Sequence, residues 1–215
     1  KTLKTRKMNF YKIVSSIFFT LISLTCLAQN SSISGTVKYN TVREEIMPDV
    51  QIELLNQAGI VINSTITDSL GNYSFNNLSD NTDFYVRANF NDTLPNGNTL
   101  WLNGVSTFDI VLIKKYLLGD EAFTPQQLLA ADVDESGDVS NIDIVYIARI
   151  ILMVDAVLPT TKNWRFIHSN WQFNQNNVFD NLNQAQLGLV ITDGATQTLD
   201  FTGLKAGDVN GSSVF

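Results

Sequence analysis

The sequence predicts a multi-domain α+β protein, with an antiparallel β-sandwich first, a helical unit in the middle and a β-rich extension at the C-terminus. Three observations predict it. Residues 31–90 alternate apolar and polar side chains between turn-forming residues, the pattern of half-buried strands. Residues 105–113 recur at 139–147, an offset of 34, with apolar side chains at helical spacing. Residues 161–215 hold Trp164, Phe166, Ile167, Trp171, Phe173 and Phe179, too much apolar surface to leave in water, and two strand-like runs at 187–192 and 198–204.

The first 28 residues stand apart from any core. A basic run (Lys1, Lys4, Arg6, Lys7, Lys12) precedes an apolar stretch from Ile13 to Leu27 and the sequence Cys26-Leu27-Ala28, the layout of a secretory signal peptide over residues 1–28. Its removal takes five positive charges and no acid, moving the formal charge from −7 to −12. Nine basic residues then face 21 acidic ones, which argues against nucleic acid, because binding phosphates needs a basic face. The single cysteine leaves with that segment, so disulfides, thiolate metal sites and thiol catalysis are excluded from the mature chain. A secreted or cell-surface protein of this kind, with no membrane contact once the signal peptide is gone, must gain stability elsewhere. Calcium, which binds only the folded form, is a natural source.

Within residues 31–90, Ile33, Gly35 and Val37 share one face, and Val50, Ile52 and Leu54 repeat the alternation. Gln57-Ala58-Gly59 turns, Ile60 to Thr67 is rich in β-branched residues, and Asp68-Ser69-Leu70-Gly71 turns again before Tyr73 and Phe75. A last strand directs Phe84, Val86, Ala88 and Phe90 inward. The segments ISGTV, PDVQIEL and TDSLGNYSFNNL resemble carboxypeptidase-regulatory-like and Cna-B-type domains of secreted bacterial proteins. That resemblance implies an immunoglobulin- or prealbumin-like sandwich over residues 29–92, folding by itself with Tyr73 and Phe75 in its core. A polar connector at 91–98, with Pro95 and Gly97, is the expected first site of proteolysis.

The chemistry concentrates in Asp132 to Asp143, reading DVDESGDVSNID. Oxygen-bearing side chains stand at the first, third, fifth, ninth and twelfth places (Asp132, Asp134, Ser136, Ser140, Asp143), with Gly137 at the sixth, where the chain must turn sharply. This is the spacing of an EF-hand calcium loop. Asp132, Asp134, Ser136, the backbone carbonyl of Asp138 and Asp143 are the candidate ligands. Neutral Ser136 predicts weak binding, about 10⁻⁴ to 10⁻³ M. Ser140 and Asp143 also form a capping pattern, ahead of Ile144, Ile147, Ala148, Ile151 and Leu152 at helical spacing. Gly119 can end the preceding helix, and Thr124-Pro125 can begin a short one.

An EF-hand-like loop closing on Asp143, together with a repeated loop-and-helix unit, resembles a type I dockerin module over residues 98–160. The resemblance implies two units packed about a pseudo-twofold axis, bound Ca2+ and a cohesin-like protein as partner. It implies partner contacts at Thr107, Phe108, Lys114 and Lys115 in one unit and at Asn141, Ile142 and Arg149 in the other; the lysines and the arginine read equally well as a solvated face. The stretch from WRF to DFTGLKAGDVNG resembles a segment that accompanies dockerin-like repeats in secreted Bacteroidetes proteins. Residues 161–215 are then an aromatic and β-rich extension packing on the dockerin-like domain.

The first unit departs from that family. Counting back from Asp109 places Asn98, Leu100 and Leu102 where acids should stand. The tail, Ala206-Gly207-Asp208-Val209-Asn210-Gly211-Ser212, has oxygen side chains where Asp132, Asp134 and Ser136 have theirs. One reading joins the halves: Asp208, Asn210 and Ser212 complete a second calcium site with Asp109, with Asn103 supplying a left-handed turn. The other reads GDVNG as the start of a further module.

Catalysis finds little support, with one histidine, His168, expected at the surface or hydrogen-bonded, and no glycine-rich phosphate loop. Trp164 and Trp171 read as core before they read as a sugar platform. The function expected is non-enzymatic: calcium-dependent attachment to a cohesin-type or other surface protein, in polysaccharide degradation or cell-surface assembly. The alternatives are an adhesin or polysaccharide-binding stalk stiffened by calcium, and a fragment of a larger secreted glycoside hydrolase.

Overall fold

A computed structural model describes residues 31–39, 44–90, 92, 101–160 and 162–213. The expected signal peptide and nearly all of the connector at 91–98 lie outside the described residues. The elements run β1 (Ser31–Tyr39), β2 (Glu45–Ile46), β3 (Gln51–Leu55), β4 (Val61–Ile66), β5 (Asn72–Leu78), β6 (Asp83–Asn89), α1 (Thr107–Leu118), α2 (Pro125–Ala131), α3 (Asn141–Ile151), β7 (Trp164–His168), α4 (Leu182–Ala185), β8 (Gly188–Ile191), β9 (Thr196–Thr198) and β10 (Phe201–Lys205). Two sheets and four helices thus make a mixed α and β fold among the described residues.

Strand β1 is the axis of the larger sheet. One of its edges pairs antiparallel with β5 and then β2, and the other pairs parallel with β9 and then β10, which in turn holds β7. The smaller sheet runs β4-β3-β6-β8, antiparallel throughout. Alternation along the strands sends Ile33, Val37, Tyr73 and Phe75 from the first sheet and Ile52, Leu54, Phe84 and Val86 from the second into one core. The predicted inward faces of these strands are the buried ones.

Three expectations are corrected here. The first sheet is mixed, not antiparallel, because β9 and β10 return beside β1 in its own direction after the long excursion through the helices, and only such a crossover permits parallel pairing. Residues 29–92 do not close a core alone: Trp164, Phe166, Val190, Leu199 and Phe201 belong to the same buried cluster. The described residues of the extension, 162–213, therefore pack on both parts of the molecule. Their strands complete the sheets, while Ala206 and Val209 enter the helical core and Leu204 meets Leu129 of α2.

A buried ion pair fastens the chain where it leaves β6. Lys205 at the end of β10 donates to Asp92 at 2.7 Å, and the same Asp92 oxygen accepts from Asn163 and from the Trp164 indole, each at 3.2 Å. Burial pulls the Lys205 ammonium below its ordinary pKa, opposed by the Asp92 carboxylate. With three donors on one oxygen, the carboxylate is well satisfied for a buried charge.

Each longer helix begins where its sequence can satisfy the free N–H groups of the first turn. Ser106 with Asp109, Thr124 with Gln127 and Ser140 with Asp143 form capping boxes on α1, α2 and α3. Gly119 ends α1 in the left-handed conformation. Helices α1 and α3 bury Leu112, Ile113, Ile147 and Ile150 with Val105 and Val133. Leu152, expected on this stripe, caps the end of α3 and is 72 % exposed.

The tail's share of the first core can be tested by truncation of one side chain. Phe201→Ala is expected to cost about 3–5 kcal/mol in urea denaturation, against less than about 0.5 kcal/mol for Ile62→Ala on the exposed strand β4.

Candidate metal centre

Two polar loops, each ending on a capped helix, reach the same geometry by different routes. The first is continuous. Its carboxylates Asp132, Asp134 and Asp143 each present an oxygen within 4.8 Å of the others. The loop folds around Asp132, whose Oδ1 accepts the Ser136 N–H at 3.0 Å and whose Oδ2 accepts that of Gly137 at 3.1 Å. Asp143 divides its oxygens: Oδ2 closes the capping box on the Ser140 N–H at 2.8 Å, and Oδ1 accepts the Val133 N–H at 2.9 Å. Ser136 Oγ lies 3.3 Å from the Asp138 carbonyl, so all five predicted ligands face one another across this loop.

The second is assembled from residues 100 apart in the chain. Asp109 Oδ2 closes its capping box on the Ser106 N–H at 2.9 Å, and Oδ1 accepts the Val209 N–H at 2.9 Å and the Asn210 N–H at 3.2 Å. Asp208 Oδ1 accepts the Ser212 N–H at 2.9 Å, and Oδ2 accepts that of Ser213 at 2.8 Å. Ser212 Oγ donates to the Gly104 carbonyl at 2.9 Å. Bond for bond, Asp208, Val209, Ser212 and Ser213 repeat Asp132, Val133, Ser136 and Gly137, while Asp109 repeats Asp143 and the Gly104 carbonyl repeats that of Asp138. The structure brings the tail to the start of α1, and half-buried Asn210 holds the place in this order that Asp134 holds in the first loop.

The electrostatics of both loops suit a divalent cation. Burial raises the Asp132 carboxyl to about 6, partly opposed by the Gly137 N–H and by the Arg165 charge. Burial likewise raises Asp143 and Asp109, which are wholly shielded from solvent. Clustered acids held in low dielectric resist ionisation unless a positive charge joins them. Oxygen-only donors of carboxylate, hydroxyl and carbonyl type match a hard cation such as calcium.

Several residues at these loops escaped sequence reasoning. Gly104, not Asn103, takes the left-handed turn, with φ of 78°. A Cβ there would sit 2.1 Å from Asp208 Oδ2, so the glycine gives the tail its room. Tyr39 of β1 donates its hydroxyl to Asp208, and burial raises the Tyr39 pKa further above its ordinary value. Arg165 of β7, almost fully buried, donates to the carbonyls of Leu129 and Asp132 and pairs with Glu135 at 3.2 Å. Only the glycine carried a local signal; the others are placed by strand pairing.

The predicted partner residues all lie at the surface. Thr107, Phe108, Lys114 and Lys115 are exposed on α1, and Asn141, Ile142 and Arg149 on α3. Phe108 and Ile142, at matching places after the two caps, are each 55 % exposed. Arg149 is engaged within the chain, donating to Asp155 through both Nε and Nη2, and Lys115 stands 3.9 Å from Glu121. Trp164 is core, as expected, meeting Tyr39 and Phe90 edge-to-face and stacking on Phe166. Of the two places expected for His168, surface or hydrogen-bonded, it takes the second: it is buried, bonds the Gln184 backbone and meets the Trp171 ring edge-on.

Two consequences are measurable. A carboxyl whose folded pKa exceeds its unfolded value favours folding when protonated, so the Asp132 contribution to metal-free stability falls as pH rises from 3.8 to about 6. Calcium needs the carboxylate, so calcium affinity is expected to weaken as pH drops through about 6, read by titration at several pH values. Gly104→Ala is expected to destabilise the chain by more than the ~1–2 kcal/mol of left-handed strain alone, whereas Gly137→Ala, with nothing within 4 Å of its added Cβ, should cost only that strain.

Comparison with solved structures gives only low overall similarity. The Bacillus anthracis TIE protein aligns at 15 % identity and a TM-score of 0.27, over 32 % of this chain and 13 % of that one. BcpA, the major pilin subunit of Bacillus cereus, aligns at 16 % identity and a TM-score of 0.26, over 32 % of this chain and 21 % of that one. A dioxygenase domain from Streptomyces sp. SirexAA-E aligns at 12 % identity and a TM-score of 0.21, over 30 % of this chain and 51 % of that one. The chain thus spans well under two thirds of the length of these structures. No curated protein matches it. Residues 103–152, which hold α1, α2, α3 and the continuous loop, match the dockerin type I domain.

Proposed function

We propose that this chain is a non-catalytic, calcium-dependent attachment protein whose helices α1 and α3 dock a cohesin-type partner. The observation that carries the reading is the duplicated surface. Each metal loop ends in a capping aspartate, and the helix that follows presents a large apolar side chain to solvent, Phe108 on one and Ile142 on the other. Val111 and Val145 extend both patches, and both are exposed. Calcium would act through the buried aspartates: by fixing both loops it would fix the first turns of α1 and α3, on which the two patches ride. The match of residues 103–152 to the dockerin type I domain supports this reading.

The setting that fits is extracellular or at a cell surface, with polysaccharide degradation as one context for such assembly. Among the described residues no helix is long and apolar enough to cross a membrane. The acids that might have suggested catalysis are engaged in the two loops, in hydrogen bonds that cap and close them.

The test is capture by an immobilised type I cohesin with calcium and with chelator. Capture is expected with calcium, lost on chelation and restored by added calcium. The double substitution Phe108→Asp and Ile142→Asp should weaken capture by at least about tenfold without lowering the melting temperature. Capture that persists in chelator, or that ignores the double substitution, contradicts the proposal.

A further inference from the structure

A cleft at the His168 end of β7 has the chemistry of a ligand site. It opens between the β3–β4 turn, β6 and the segment around α4, with a volume of about 720 Å³, inside the range of small-ligand pockets. Its lining includes Gln57, Tyr85, His168, Trp171, Asn183 and Leu189, and no acidic or basic side chain apart from the imidazole. Two buried polar atoms at this cleft have no hydrogen-bond partner: His168 Nδ1 and Trp171 Nε1. The His168 side chain is more than nine-tenths buried, and its ring meets the Trp171 ring edge-on at 6.1 Å.

Such atoms are costly without a partner, and a native site with two of them side by side invites a ligand that satisfies both. Burial lowers the His168 pKa, only partly opposed by the Gln184 carbonyl, so the ring is neutral at physiological pH. A neutral imidazole with one N–H turned to that carbonyl offers Nδ1 as an acceptor, while the indole N–H can only donate. The ligand must therefore donate and accept within one small patch. The Asn183 amide adds both kinds of group, Gln57 adds its amide oxygen while its Nε2 donates to Asp83 at 3.1 Å, and the exposed edges of Tyr85 and Leu189 add an apolar wall. Neighbouring hydroxyls on a ring with an apolar C–H face meet every one of these requirements. An anionic ligand would find no counter-charge, a cationic one only Asp83, which already holds Gln57, and a purely apolar one would leave both nitrogens unsatisfied.

We infer that this cleft binds an uncharged sugar unit of a glycan, with its hydroxyls on His168 Nδ1 and Trp171 Nε1 and its apolar face against the aromatic wall. The site is separate from the metal loops and from Phe108 and Ile142, so a glycan and a protein partner can be held at once. It does not rest on the calcium reading.

The test uses the full chain, with calcium and with chelator, titrated with glucose, galactose, mannose, xylose and cellobiose. The indole N–H signals of Trp101, Trp164 and Trp171 are followed by NMR, and affinities by calorimetry. At least one sugar is expected to shift the Trp171 signal and leave that of buried Trp164 in place, whether or not calcium is present. Trp171→Phe, which keeps a ring and removes the donor, and Gln57→Ala, on an exposed turn, should each weaken that sugar by about tenfold or more at unchanged melting temperature. If no sugar moves the Trp171 signal, or if both variants bind as the parent does, the inference is overturned. Failure here leaves cohesin capture untouched, and failure of capture leaves sugar binding untouched.

Discussion

The structure depends on one carboxylate used twice. Asp109 gives one oxygen to the first turn of its own helix and the other to the backbone of Val209 and Asn210, a hundred residues away. A helix cap contributes about 0.5–2 kcal/mol wherever it stands. Its second oxygen does more, since it commits the C-terminal tail to the start of α1. Asp143 does the same work within a single loop, so the two units are alike in space although only one is continuous in sequence.

That commitment sets the topology. A tail that must reach α1 has to travel back from the end of α3, and on the way it lays β10 beside β1, β7 beside β10 and β8 beside β6. The parallel pairing of β1 with β10 follows from the length of this excursion. Sheet and loops then support each other through buried side chains. Tyr39 reaches from β1 to Asp208, Arg165 reaches from β7 to the carbonyls below the continuous loop, and Lys205 anchors β10 on Asp92. The β-strands are therefore part of what positions both loops, and separation of the chain into a free sandwich and a free helical module would cut these ties.

What the sequence revealed was local. Acid spacing with a glycine at the sixth place marked the loop at 132–143, capping pairs marked the helix starts, and period-two alternation marked the buried faces of β1, β3 and β6. The split loop was legible because GDVNGS repeats the oxygen pattern of ADVDES, and the structure places it against Asp109. What stayed hidden was long-range. β9 reads Thr196-Gln197-Thr198, with nothing to say which edge it joins, and its pairing with Ser32 to Ser34 is fixed only by the tail's return. Nothing in the sequence marked Arg165, which β7 carries beneath the continuous loop, where it is buried. The sequence leaves His168 at the surface or hydrogen-bonded and says nothing of its burial, and its unpartnered Nδ1 marks the cleft beside Trp171.

The central claim is that a loop divided between the start of α1 and the C-terminal tail forms a metal site equal in kind to the continuous one. Calorimetric titration of the metal-free chain with calcium counts the ions directly. Two ions per chain is the expected result, with Asp208→Ala reducing the count to one and Asp132→Ala likewise. A count of one in the parent chain that Asp208→Ala leaves unchanged would contradict it, and the tail would then be a structural clasp on α1 with no metal of its own.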